Sequence, residues 1–135
     1  MKYMLLMQFS EKTVDFPQIG DWAPHEIEAH IAFMRDANTT MADAGEFVEG
    51  QGLAMPDTAK IVRAGGDGAA VVTEGPFPET KEFLAGYWIV DVDSEERAVE
   101  LAAFVSTAPG PGGTPLNMPI EVRQVMSAPA PSEEL

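Results

Sequence analysis

The sequence predicts an α+β domain in which one antiparallel β-sheet carries two helices on one face. Two segments of helical periodicity, which begin near Pro24 and Ser94, separate short segments rich in β-branched and aromatic residues. Gly65, Gly66, Asp67 and Gly68 lie between two of the strand-like segments, and these repeated glycines indicate a β-hairpin. The order strand, helix, strand, hairpin, strand, helix, strand is the ferredoxin-like βαβ-βαβ plan with an inserted hairpin.

The first half of the chain supplies a strand, a helix and a second strand. Residues Tyr3 to Phe9 are almost all apolar, so both faces of this strand require burial. Pro24 suits the first turn of a helix, Glu26 complements the helix dipole there, and Gly45 suits a left-handed cap at its end. The segment Glu46 to Gly52 follows as the next strand.

The second half repeats this plan after the hairpin. Lys60 to Arg63 and Ala69 to Thr73 form the two arms of the hairpin. Gly86 to Val92 is apolar on both faces and is predicted to be a central strand. Ser94 provides an N-cap for the second helix, and Ile120 to Met126 forms the last strand.

Length and composition favour one small globular domain. With 135 residues, 45% of them hydrophobic and 22% charged, the chain suits a single domain over residues 1–126 and a flexible tail over 127–135. The absence of cysteine excludes disulfides, thiolate metal sites and cysteine nucleophiles. We predict a cytoplasmic protein, with no cofactor and no metal.

The net charge and the apolar strands indicate which binding partners to expect. A formal net charge of −14 repels nucleic acids and anionic lipids, so we expect neither nucleic acid nor a membrane as a partner. Two helices cover only one face of a sheet whose central strands are apolar on both sides. We therefore expect a homodimer, in which the second copy covers the other face.

His30 is the first candidate for chemistry. It falls on the helical stripe of Ile27, Ile31, Met34 and Met41 and should face the sheet. An imidazole in such a place can act as an acid, a base or a ligand-binding group. The alternative is a buried structural histidine whose ring nitrogen pairs with a carbonyl or a carboxylate, and spacing alone favours this alternative.

Glu74 is the second candidate, because it ends the second hairpin arm just before Gly75 and Pro76 and could fix an acid at a sheet edge. The same residues equally suit a plain turn.

Lys81 adds a cation to this region and is a candidate ligand-binding residue. Arg123 alternates with apolar residues on the last strand, so that it either binds a ligand, forms an interface contact or faces water.

Several separated segments together resemble the YCII-related, DGPF-domain family, and the likeness spans nearly all of residues 1–126. The segments that carry it are Met1 to Met7, Ala29 to Gly45, Gly50 to Leu53, Glu74 to Glu82, Gly86 to Val92 and Ile120 to Met126. The resemblance implies a ferredoxin-like fold that assembles as a dimeric α/β barrel. It also implies a pocket in which a histidine, here His30, meets an acidic residue, here Glu74 in place of the family's aspartate.

Two functional hypotheses follow. The first is a small-molecule-binding or enzyme-like homodimer with a His30–Glu74 pocket, its reaction and substrate open. The second, which the resemblance implies, is a regulatory interaction module associated with an extracytoplasmic-function sigma factor in transcription initiation. The sequence carries none of the common catalytic motifs that would decide between an enzyme and a binding protein.

Overall fold

A computed structural model of the chain describes residues 1–10, 17, 19–74 and 82–126. These residues contain the predicted elements in the predicted order. The strands are β1 (Lys2–Ser10), β2 (Phe47–Gly52), β3 (Lys60–Ala64), β4 (Ala70–Glu74), β5 (Glu82–Asp91) and β6 (Ile120–Gln124). The helices are α1 (Pro24–Asp43) and α2 (Glu95–Ser106), with 3-10 turns at Ile19–Asp21, Pro56–Thr58 and Pro111–Gly113. The predicted tail at 127–135 lies outside the described residues, and the domain boundary at 126 stays a prediction.

The strands form a four-stranded antiparallel sheet in the order β2-β5-β1-β6, and β3 and β4 pair separately as a hairpin. This arrangement confirms the α+β class with an antiparallel sheet and two helices, consistent with a ferredoxin-like fold. Strand β5 begins four residues earlier than predicted, because Glu82 to Leu84 pair with the end of β1 beyond a bulge at Met7 and Gln8. None of the helices in the described residues is long and apolar enough to cross a membrane.

Local signals place both helices. Pro24 is the first residue of α1, and the Glu26 side chain accepts a hydrogen bond of 2.9 Å from the Ala23 N–H at its start. Gly45 follows the helix with a φ of +74°, a conformation that glycine adopts without steric cost. At the second helix, the Ser94 hydroxyl oxygen accepts a hydrogen bond of 3.2 Å from the Arg97 N–H, as an N-cap does.

The core lies between the two helices and one face of the sheet. Alternate residues of β1 and β5 point toward the helices, as the period of two requires. The largest side chains that lose all contact with water are Leu5, Met41, Val90 and Val105. The core cluster of buried residues consists of Tyr3, Leu5, Ala37, Met41, Trp88, Val90, Val92, Ala98, Leu101, Ala102 and Val105.

The opposite face of the sheet, which we call the outer face, is apolar in the middle and charged at its borders. Met4 pairs with Ile89, and Leu6 pairs with Tyr87, across the two central strands. Met4, Tyr87 and Ile89 are only half-buried. The edge strands add charged residues to this face, namely Glu49, Glu121 and Arg123. The apolar outer surface that the sequence predicts is therefore confined to β1 and β5.

The hairpin exposes aliphatic side chains on both of its faces. Val62 pairs with Val72 on one face, while Ile61 and Val71 occupy the other. All four are about half exposed, at 48 to 59%. An isolated two-stranded hairpin is only marginally stable in water. These side chains are thus available to contact another surface.

Candidate functional site

A partly open cavity of about 360 Å³ lies between the first helix and one end of the sheet. Helix α1 contributes His30 and Asn38, and the strands β1, β2 and β5 contribute the facing wall. The aromatic and aliphatic residues that line it are Met7, Phe9, Ile19, Trp22, Ile31, Met34, Leu53, Met55, Phe83, Ala85, Tyr87, Trp88, Leu116 and Met118. Its size and apolar lining fall within the range of small-molecule sites in proteins.

Three glycines form part of the cavity wall on the sheet. Gly52 of β2 lies directly opposite Gly86 of β5, and Gly50 lies two residues away on the same face. A β-carbon at Gly50 would lie 2.8 Å from Cδ1 of Trp88, and one at Gly86 would lie 2.8 Å from the backbone oxygen of Gln51. Only the main chain fits at these two positions.

His30 lies on the helix side of the cavity and is half-buried. Its Nδ1 lies 3.0 Å from the carbonyl oxygen of Pro109, and its ring meets that of Trp22 edge to face, with 5.4 Å between the ring centroids. A carbonyl oxygen only accepts hydrogen bonds, so Nδ1 carries the proton. In the neutral ring, Nε2 is then an unprotonated acceptor.

The surroundings of His30 favour the neutral ring. Burial lowers the pKa of His30 below its ordinary value, because desolvation penalises the imidazolium, and the Pro109 carbonyl opposes this effect in part. The ring is therefore neutral at pH 7. It can accept a hydrogen bond or a proton at Nε2.

The segment that carries Pro109 is itself fastened to the start of α1. The N–H of Gly110 donates to the carbonyl of Thr114 at 2.8 Å, which closes a tight loop. The N–H of Gly112 donates to Oε2 of Glu26 at 2.6 Å. This bond, with the one from Ala23, lowers the pKa of Glu26, so the carboxylate stays ionised and keeps the loop attached. Pro109 is thereby held within reach of His30.

The indole N–H groups of both tryptophans on the cavity wall already have hydrogen-bond partners. The indole Nε1 of Trp88 donates to Oδ1 of Asn38 at 2.8 Å, and that of Trp22 donates to the carbonyl of Pro17 at 2.7 Å. No Asp, Glu, Lys or Arg is among the described residues that line the cavity. In the same described part of the chain, no three His, Asp or Glu side chains lie close enough together to hold a metal ion.

Of the four residues predicted for the site, His30 lies in the cavity. Arg123 lies on the outer face, opposite Met4 of β1, and is exposed. Glu74 ends β4, where its backbone pairs with Lys60, and its side chain lies outside the described part of the chain, as does the whole of Lys81. The pairing of Glu74 with His30 and the ligand-binding roles of Arg123 and Lys81 stay predictions.

Sequence reasoning gave no role in the site to several residues that build it. Trp22 and Trp88 line the cavity, and Asn38 fixes the second of them. Glycines inside a predicted strand were an available signal, since they often mark close approach of a ligand or another backbone. Pro109 gave no signal, because its contribution is a main-chain oxygen.

Comparison with known proteins places the chain. The model of the YCII-related domain matches residues 1–109. The chain belongs to the YCII-related family. This YCII-related chain is 30% identical, over 87 residues, to an uncharacterized protein of Rhizobium meliloti (strain 1021). The match covers 64% of this chain and 69% of that protein. The narrower DGPF assignment and the sigma-factor association stay predictions.

Proposed function

We propose that this YCII-related chain binds a small, mainly apolar molecule in the cavity and that His30 acts there as a hydrogen-bond acceptor or general base. The observation that carries the proposal is the half-buried imidazole, whose Nδ1 is held 3.0 Å from the Pro109 carbonyl while the ring lines an apolar cavity. An orienting bond to one ring nitrogen leaves the other free for a ligand. Family membership alone does not supply this function.

The electrostatics support a base rather than a permanent cation. Burial lowers the pKa of His30, so the ring is neutral and able to take a proton near pH 7. The imidazolium that forms would be costly in the apolar surroundings and would return its proton readily. We propose that the Glu74 carboxylate stabilises this cation. Glu74→Gln should then lower the pKa of His30, measured by NMR, because a nearby negative charge favours the imidazolium. An unchanged pKa would show that Glu74 is not part of the site.

The two histidines of the chain give a matched test of binding. His25 is exposed on the same helix as His30, so His25→Ala controls for the loss of an imidazole from α1. Ligand-observed NMR with a set of neutral aromatic, alcohol and amide fragments should detect binders to the wild type and to His25→Ala. The same binders should be weakened or lost with His30→Ala. Absence of any binder, or equal binding by both variants with circular dichroism unchanged, would refute the proposal.

The protonation state of His30 is a second, ligand-free test. We expect the ring ¹⁵N shifts at neutral pH to report a protonated Nδ1 and an unprotonated Nε2 for His30. A His30 ring protonated at Nε2 would remove the acceptor on which the proposal depends.

We further propose that the chain acts as a homodimer through its outer face. Half-buried Met4, Tyr87 and Ile89 at the centre of that face, with charged residues at its borders, support this assembly, because interfaces commonly have an apolar core and a polar rim. Light scattering at micromolar concentration should give twice the chain mass. Ile89→Glu should yield monomers, whereas Val99→Glu, at an exposed valine of α2, should not. A wild-type monomer would refute the assembly.

A further inference from the structure

The wall of the cavity on the sheet side contains a patch without side chains, which we call the glycine floor: Gly50, Gly52 and Gly86. Gly52 and Gly86 are paired across β2 and β5, and the sheet face they occupy is the one that also presents Trp88 to α1. A β-carbon built on Gly52 meets no atom within 4 Å, so it would project into open space. The open part of the floor therefore lies at Gly52, because the Trp88 ring covers Gly50 and Gly86 is buried.

Glycine is a poor choice for a strand in terms of stability. It loses more backbone entropy on folding than other residues, and it offers no side chain to pack across the strands. Steric contact with Trp88 and Gln51 requires glycine at Gly50 and Gly86, but no such contact requires it at Gly52. At Gly52, the space above the main chain is free for a ligand instead.

The rest of the cavity complements a flat ring. Trp22, Trp88 and Phe83 line the same cavity as the floor, the Trp88 ring lies against Gly50, and His30 lies on the helix side. Aromatic side chains favour stacked or edge-to-face contacts with another ring over contacts with a puckered aliphatic one. A single ring or a small fused ring system fits a volume of about 360 Å³.

Charge and hydrogen bonding restrict the chemical class of the ligand further. None of the described residues on the cavity wall is a lysine or an arginine that could neutralise an anion, and the chain has a formal net charge of −14. No described residue donates a hydrogen bond to Nε2 of His30, whose partner nitrogen is bound to Pro109. A ligand that satisfies this acceptor must bring its own hydrogen-bond donor.

We propose that the cavity takes a neutral, planar aromatic molecule with one O–H or N–H donor, whose ring lies on the glycine floor and whose donor hydrogen-bonds to Nε2 of His30. The inference rests on the proposed function, because it names the ligand class of the same cavity. It adds a role for Gly52, which keeps the floor open, and it excludes carboxylate and phosphate ligands.

Four small probes separate the parts of this proposal. Phenol has the ring and the donor, anisole lacks the donor, cyclohexanol lacks the planar ring, and benzoate carries a negative charge. Both tryptophans of the chain line the cavity, so intrinsic fluorescence, excited beyond the absorption of the probes, reports binding directly. Phenol should bind about fivefold more tightly than cyclohexanol and than anisole, given the usual strength of one aromatic contact and one neutral hydrogen bond. Benzoate should bind most weakly.

Two leucine variants test the floor. Gly52→Leu should fill the space above the main chain and weaken phenol at least about tenfold, as steric overlap with a ligand does. Gly66→Leu, in the exposed hairpin turn and with equally open space around its β-carbon, should leave the affinity unchanged. His30→Ala should remove the preference for phenol over anisole. Circular dichroism and thermal unfolding confirm that each variant is folded.

The outcomes distinguish this inference from the proposed function. Equal affinities for phenol and cyclohexanol, tighter binding of benzoate, or an unchanged phenol affinity in a folded Gly52→Leu variant would each overturn the ligand class. If none of the four probes binds but neutral fragments of another kind bind in a His30-dependent way, the ligand class fails and the proposed function stands. If neither the probes nor the fragment set binds, both fail.

Discussion

A single methyl group added at Gly86 should destabilise the domain, whereas the same addition at the paired Gly52 should stabilise it slightly. The β-carbon of Gly86→Ala would lie 2.8 Å from the backbone oxygen of Gln51 and 3.4 Å from Cα of Gly52, whereas ordinary contact begins at 3.4 Å. The obstructing oxygen of Gln51 belongs to the backbone of the neighbouring strand. It cannot rotate away as a side chain would, so β2 and β5 must separate locally.

The magnitudes follow from two opposing effects. Overpacking of this kind costs about 1–3 kcal/mol, and the lower backbone entropy of the unfolded alanine variant returns about 0.4–1 kcal/mol. For a chain of 135 residues, about 1 kcal/mol corresponds to a Tm change of roughly 3–4 °C. The net cost at Gly86 is thus about 0–2.6 kcal/mol, so we expect Gly86→Ala to lower Tm by roughly 5 °C at the middle of this range and by at most roughly 10 °C. Gly52→Ala should raise Tm by roughly 1–4 °C.

Differential scanning calorimetry of the wild type and the two variants, at equal protein concentration, measures both shifts. Urea unfolding should move the midpoint in the same directions with an unchanged m-value, because the surface exposed on unfolding is unaltered. Equal Tm shifts of the same sign at Gly52 and Gly86 would refute the reasoning, since the two sites would then differ neither in free space nor in strain.

Three further predictions concern His30, Asn38 and Ser94. Burial lowers the pKa of His30 in the folded state, so its contribution to stability is fully present above pH 6.5, the ordinary pKa, and is lost as pH falls below it. In His30→Leu, the free energy of unfolding measured in urea should therefore depend less on pH in the range below 6.5 than it does in the wild type. In the wild type, the Trp88 indole N–H donates to Oδ1 of Asn38 at 2.8 Å. Asn38→Leu removes this acceptor and should lower the free energy of unfolding, measured in urea, by about 1–3 kcal/mol. Ser94→Ala removes the cap of the Arg97 N–H and should cost about 0.5–2 kcal/mol, whereas Ser94→Asp should restore most of the stability.

The elements of the fold could be predicted because their signals are local. Pro24 and Ser94 mark helix starts through the backbone groups of their own first turns, and the glycines at 65–68 mark the hairpin between its own arms. His30 could be placed facing the sheet because helical periodicity alone determines which side of α1 it occupies. Element boundaries were less accurate at β5, where pairing with β1 beyond a bulge extends the strand.

The construction of the site could not be predicted, because it depends on contacts between distant segments. Pro109 reaches His30 from 79 positions away in the sequence, and it does so through a main-chain atom. A carbonyl partner was one of the alternatives for a structural histidine, but residue types gave no means of choosing which carbonyl. The floor likewise depends on the register that sets Gly52 opposite Gly86. Glycine has no side chain, so no pattern of hydrophobic and polar residues could predict that these glycines form the cavity wall.

The bond between His30 and the Pro109 carbonyl has a consequence for how this site changes in evolution. Since every amino acid supplies a carbonyl oxygen, replacement of Pro109 by another residue deletes no acceptor, and substitutions there would look harmless in a comparison of sequences. What can misplace the oxygen is an insertion, a deletion or a change of backbone angle between residues 108 and 116. Loop length in that interval, rather than residue identity at position 109, is the trait by which relatives that orient the imidazole alike should be sought.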